Sequence, residues 1–146
     1  MPNVEINWVG VLVATIVNMV IGAAWYSPIL FVKPWTAGVE KTIGKEAFQR
    51  NHQAMQSKMV AARTYGLTMV GAFLVSYTME LVIDYRPADT IFEGALVGLV
   101  MWLGFVVTTS LLTVLFEGRS RSVYVINMAH QLVAFVITGG ILGLWH

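Results

Sequence analysis

Residues 8–33 read WVGVLVATIVNMVIGAAWYSPILFVK. From Trp8 to Ser27 no side chain is charged, and about twenty helical residues at ~1.5 Å each cover ~30 Å, the hydrocarbon thickness of a bilayer. The stretch predicts a first transmembrane helix over 8–27, closed by an aromatic, proline-broken boundary. Gly10, Ala14, Asn18 and Gly22 recur every four residues. One face is therefore a narrow track of small side chains interrupted by a single amide. Small residues let backbones approach where lipid offers no hydrophobic drive, so this face is expected to meet protein.

The rest of the chain has the same solvent. Over 146 residues, 57% are hydrophobic and 12% charged, with a mean hydropathy of +0.70, too apolar for a soluble domain of this size. There is no cysteine, which removes disulfides, thiol nucleophiles and thiolate metal sites together. The net charge is +1, and most basic residues lie in one connection. They read as topology signals, and no nucleic-acid partner is expected. The opening MPNVEIN lacks the positive n-region of a cleaved signal, so the first helix is expected to stay in the mature protein.

Three more apolar runs follow. The connection 33–64 begins at Pro34 and Trp35 and carries Lys41, Lys45, Arg50, Lys58 and Arg63. From Lys45 onward Phe48, His52, Met55, Met59 and Ala62 fall three or four apart, which predicts an amphipathic helix at the membrane surface. The second span is 65–84, with Thr68, Ala72, Ser76, Glu80 and Asp84 on one face. A short turn at Tyr85–Ala88 precedes a third span over 91–116, with Asp89 or Thr90 as its cap. Gly94 and Gly98 give this span a small-residue pair. A polar turn over 117–122 leads to the fourth span, 123–145, where Gly139 and Gly143 form another. The expected fold is all-α: one membrane domain over 1–146, a four-transmembrane-helix bundle with an amphipathic cytoplasmic helix between the first and second spans. Basic residues orient it. Six lie from Lys33 to Arg63 and two more are Arg119 and Arg121, against Arg86 alone on the other side. The positive-inside rule then makes connections 33–64 and 117–122 cytoplasmic and puts both termini outside, in a bacterial inner (plasma) membrane.

GAAWYSPILFVKPW at the end of the first span, WLGF at 102–105, LFEGR at 115–119, Asn127 and the terminal GILGLW together resemble a family of small bacterial four-span membrane proteins known only as a domain of unknown function. The resemblance covers nearly the whole chain outside the basic connection, with WYSP its most specific part. It implies an architecture and no chemistry.

The candidate site residues form three groups. Trp25, Tyr26, Ser27 and Pro28 sit at the inner interface, where an aromatic pair anchors a helix and proline frees backbone carbonyls, or where they shape a cytoplasmic mouth. Asn18, Ser76, Thr108, Thr109, Asn127, His130 and Gln131 make a polar belt, the deeper of them about 10–17 Å from the inner ends of their spans. It reads either as interhelical glue or as a hydrated pathway lined by His130. Glu80 and Glu93 lie near the outer side, where they would snorkel to water or pair with Arg86, or form an ion-binding mouth. No metal triad or His/Glu dyad assembles from His52, His130, His146 and Glu80. HExxH, GxSxG, P-loop and dinucleotide patterns are absent. Neither catalytic residue, metal nor cofactor is expected, and the chain is read as non-enzymatic, with an intramembrane enzyme as a distant alternative. Its partners are the lipid bilayer and either copies of itself, as a homo-oligomer forming a small pore or transport path, or a larger membrane complex in which it is an accessory or assembly subunit.

Overall fold

The computed structural model describes residues 5–85 and 88–145. Met1 to Val4, Arg86, Pro87 and His146 lie outside that set, and the expected pairing of Arg86 with the outer glutamates lies outside it too. Among the described residues all regular structure is helical. Four helices are long and apolar enough to cross a membrane: α1 (Trp8–Trp25), α4 (Lys58–Tyr85), a continuous run Ile91–Glu117, and α7 (Arg121–Trp145).

α1 starts where the Asn7 side chain accepts the Gly10 amide hydrogen at 3.0 Å, satisfying one of the donors a helix start leaves open. The basic connection holds two helices rather than the single one expected. α2 (Val32–Ile43) takes Pro34 into its first turn, where the missing N–H leaves no helical bond unmade. It ends at Gly44, whose φ of +86° is a backbone conformation glycine adopts without strain. α3 (Lys45–Ala54) then runs fully outside the core. α4 begins at Lys58, well before the expected start at 65, because the residues from Lys58 to Arg63 continue the helix past the apolar segment.

The third run is not uniform. α5 (Ile91–Met101) passes through a π-helical segment, Trp102–Val107, before α6 (Thr108–Glu117). The π segment coincides with WLGF. Thr90 caps α5: its hydroxyl accepts the Glu93 amide hydrogen at 3.2 Å and donates to the Glu93 carboxylate at 3.0 Å. Of the two cap candidates Thr90 holds the position, and the Glu93 carboxylate accepts from its hydroxyl. Gly118 closes α6 in the left-handed region.

α7 is the hub, in contact with every other span and with α2. Its closest partner is α5. A Cβ placed on Gly94 would lie 2.1 Å from the Gly139 carbonyl oxygen, and one on Gly98 2.1 Å from that of Phe135. The small-residue pairs of the third and fourth spans thus meet each other, backbone on backbone. α1 crosses the other flank of α7, with Gly10 near Leu142 and Gly22 near His130, so its small-residue track faces protein. The close-packed core is Val11, Ala14, Met79, Ile83, Ala88, Phe135 and Leu142. It fills the half of the bundle nearest the two chain ends. Asn7 ties those ends together, donating from its side chain to the Trp145 carbonyl at 3.0 Å. The opposite half is looser: α4 from Lys58 to Gly71 is mostly exposed.

Candidate functional site

The loose half contains a cleft of about 710 Å³ between α1, α4 and α7. α1 contributes Asn18, Met19, Gly22, Ala23 and Tyr26, α4 contributes Tyr65, Thr68, Gly71, Ala72 and Val75, and α7 contributes His130 and Gln131. Gly22 and Ala23 of α1 and Gly71 and Ala72 of α4 leave the space between the two helices unfilled. A Cβ on Gly71 would meet nothing within 4 Å. Tyr65, Thr68 and Gly71 on one wall and Ala23 on the other are exposed, so the cleft opens sideways between α1 and α4. Toward the chain ends it stops at the core, where Val11, Ala14, Met79 and Ile83 are each 0% exposed.

Three polar side chains of the expected belt meet in this cleft: Asn18, His130 and Gln131. No hydrogen bond joins any of them to another side chain among the described residues, and the buried His130 Nε2 has no partner there. Among the described residues they make none of the interhelical side-chain bonds that their depth suggests. The other belt members separate. Thr108 and Thr109 are exposed on the outward side of the third run and donate back to their own helix, Thr108 to the Gly104 carbonyl at 2.6 Å and Thr109 to that of Phe105. Helical rise gives depth but not rotation, and these hydroxyls need no second helix. Ser76 is 0% exposed and sits within the packed half, its hydroxyl without a partner among the described residues.

Asn127 belongs to a second construction. Its side-chain oxygen accepts from the Tyr26 hydroxyl at 2.9 Å and from the Trp35 indole N–H at 3.2 Å. On either side of it the Trp25 indole donates to the Ile126 carbonyl at 3.2 Å and the Trp102 indole to that of Met128 at 3.1 Å. Four aromatic polar groups from α1, its following turn, α2 and the π segment thus clasp consecutive residues of α7. The rings are in contact as well: Tyr26 lies 5.5 Å from Trp35 edge-on and 5.3 Å from His130 between centroids. Of the WYSP quartet, Trp25 and Tyr26 supply clasp donors, while Ser27 and Pro28 form the turn that lets the Phe31 amide return to the Trp25 carbonyl at 3.1 Å. The position of Trp35 after Pro34 predicts a ring at the headgroup layer, whereas Trp35 and Trp102 both donate to α7; the signal for this is the indole N–H itself, which needs an acceptor when buried.

The outer acids diverge. Glu93 is exposed and its carboxylate accepts from the Thr90 hydroxyl. Glu80 is only 1% exposed and accepts the Asn7 amide hydrogen at 2.9 Å. It does not snorkel, because helix α4 turns it inward onto the start of α1. No cluster of three metal-binding side chains exists among the described residues.

An all-α architecture with four helices apolar enough to cross a membrane, clasped at one α7 turn and cleft beside it, defines the class. The chain belongs to the family described as protein of unknown function (DUF1761), whose model matches residues 9–143 and so spans both cleft and clasp. No curated protein and no solved structure matches it.

Proposed function

We propose that this protein is a non-enzymatic membrane component that admits a small molecule to the cleft between α1, α4 and α7, in an inner membrane with the α2–α3 side facing the cytoplasm. The observation that carries the proposal is the meeting of Asn18, His130 and Gln131 on one open cleft, with no side-chain hydrogen bond among them or to other described side chains. Polar groups at membrane depth need partners, and groups left unpaired toward a cavity are available to a ligand or water. The orientation rests on the basic residues of the two connections on that side.

Among the described residues the cleft ends against the buried cluster of Val11, Ala14, Met79 and Ile83. A transport path therefore requires a homo-oligomer or a rearrangement of the core. The apolar run Ile91–Glu117, outward-facing over most of its length, is a surface on which copies could associate; it equally supports the second reading, an accessory subunit docked in a larger complex. Mild-detergent purification separates these two, a defined homo-oligomer favouring one and stoichiometric foreign proteins the other.

The absence of cysteine makes the cleft directly testable. In Gln131→Cys the new thiol should react readily with a small neutral maleimide, while in Thr138→Cys, at a 0% exposed core position, it should not. Equal, negligible reaction at both positions overturns the reading.

A further inference from the structure

The chemistry of the cleft lining narrows what it can hold, on the reading that the cleft is a binding site. At about 710 Å³ it falls within the ~300–1,000 Å³ range of small-molecule pockets. Among the described residues no aspartate, glutamate, lysine or arginine lines it. An ion held there would lose its hydration without a counter-charge, which disfavours charged ligands. The two amides of Asn18 and Gln131 offer N–H donors, while the His130 ring lines the cleft with its Nε2 buried against Gly22. Oxygen acceptors on the ligand satisfy the two amides. The walls at Gly22, Gly71 and Ala72 lack bulk, and the Tyr26 and His130 rings, whose centroids are 5.3 Å apart, line the same space. A ring head can pack against these aromatic faces. The lateral opening at Thr68 and Gly71 lies in an apolar span, so a molecule dissolved in the bilayer reaches it without crossing water.

We propose that the cleft binds an uncharged, lipid-soluble amphiphile of the quinone class: a planar ring head whose carbonyl oxygens meet Asn18 and Gln131 beside the His130 ring, with an apolar tail leaving between α1 and α4. Binding alone is inferred; no electron transfer is required of the protein.

The native tryptophans supply the probe. The Trp25 ring centroid is 6.0 Å from that of His130, close enough for a bound quinone to quench its fluorescence. Protein in lipid nanodiscs is titrated with a decyl-substituted benzoquinone, with decylbenzene as a competitor that keeps the ring and tail but lacks the carbonyls. Saturable quenching is expected, most of it lost in Trp25→Phe. Gly71→Leu fills the cleft without meeting a neighbour at its Cβ, and should weaken binding at least tenfold while gel filtration and circular dichroism stay unchanged. His130→Leu should weaken it comparably. Linear quenching identical in wild type and Gly71→Leu overturns the proposal, as does equal competition by decylbenzene. A co-purifying protein released by Gly71→Leu, with no saturable quinone quenching, overturns it in favour of a protein occupant. A reactive Gln131→Cys thiol without quinone binding removes this ligand class while leaving the accessible cleft standing, so the two readings fail separately.

Discussion

Asn127 shows how one polar atom can order a membrane-embedded interface. Its side-chain oxygen takes two donors, from Tyr26 and Trp35. Asn127→Leu leaves both without their acceptor, and a loss of about 1–3 kcal/mol is expected because stranded polar groups cost more than the bond itself contributes. Tyr26→Phe removes donor and bond together and should cost nearer the ~0.6 kcal/mol average for bonds between membrane helices. In the Asn127→Leu background, Tyr26→Phe should recover part of the loss, since it removes the stranded hydroxyl. Unfolding of the four proteins in detergent, arranged as a double-mutant cycle, checks this; additive losses would show that the bond carries no coupling. The same scale explains Glu80. It is nearly fully buried and tied to the Asn7 amide, so Glu80→Ala, which removes an acceptor and opens a cavity, should destabilise by roughly 2–4 kcal/mol.

At the scale of elements, the α5–α7 crossing is set by glycine. A Cβ on Gly139 would come within 2.1 Å of the Gly94 carbonyl oxygen. No rotamer relieves a clash with backbone, and the helices must separate. Gly139→Ala is expected to cost about 3 kcal/mol or more, or to abolish the fold, since it disrupts tight packing along a whole crossing. Gly66 in α4 provides the contrast: its added Cβ meets nothing within 4 Å. Gly66→Ala should stabilise by roughly 0.5–1 kcal/mol through helix propensity. Parallel thermal melts of the two variants test the asymmetry, and equal effects would contradict the close approach. The clasp also relates α2 to the spans, since Trp35 reaches Asn127 from α2 while Gly38 packs beside Ser122 and Val123. That half of the connection is part of the bundle rather than a surface float.

For the whole molecule, orientation is the property most open to test. Gln49 in α3 and Arg119 after α6 are both exposed on the basic side, and Asp89 is exposed at the opposite turn. Gln49→Cys and Arg119→Cys should be protected from a membrane-impermeant thiol reagent in intact cells, whereas Asp89→Cys should react. The reverse pattern would invert the proposed topology. Ala88, one residue earlier, is only 3% exposed and would report burial instead of sidedness.

The sequence by itself determined the helical class, the number of long apolar runs and the small-residue pairs, because each rests on local length and spacing. Trp8–Ser27 is uncharged for a bilayer's thickness, and Gly94/Gly98 and Gly139/Gly143 are legible at four-residue intervals. Even Asn18, His130 and Gln131 could be placed at similar depth, since rise per residue is constant. Rotation was another matter. A soluble helix announces its buried face by the contrast between polar and apolar sides, but a span is apolar all round, so nothing local says which way Thr108, Thr109 or Glu80 points. The tertiary structure decided that: tight glycine contacts turn α5 onto α7 and leave Thr108 and Thr109 outside, while α4 turns Glu80 inward against Asn7. The same packing left α1 and α4 apart in one half of the bundle, and it is the space between them, not any residue read alone, that makes a site of Asn18, His130 and Gln131.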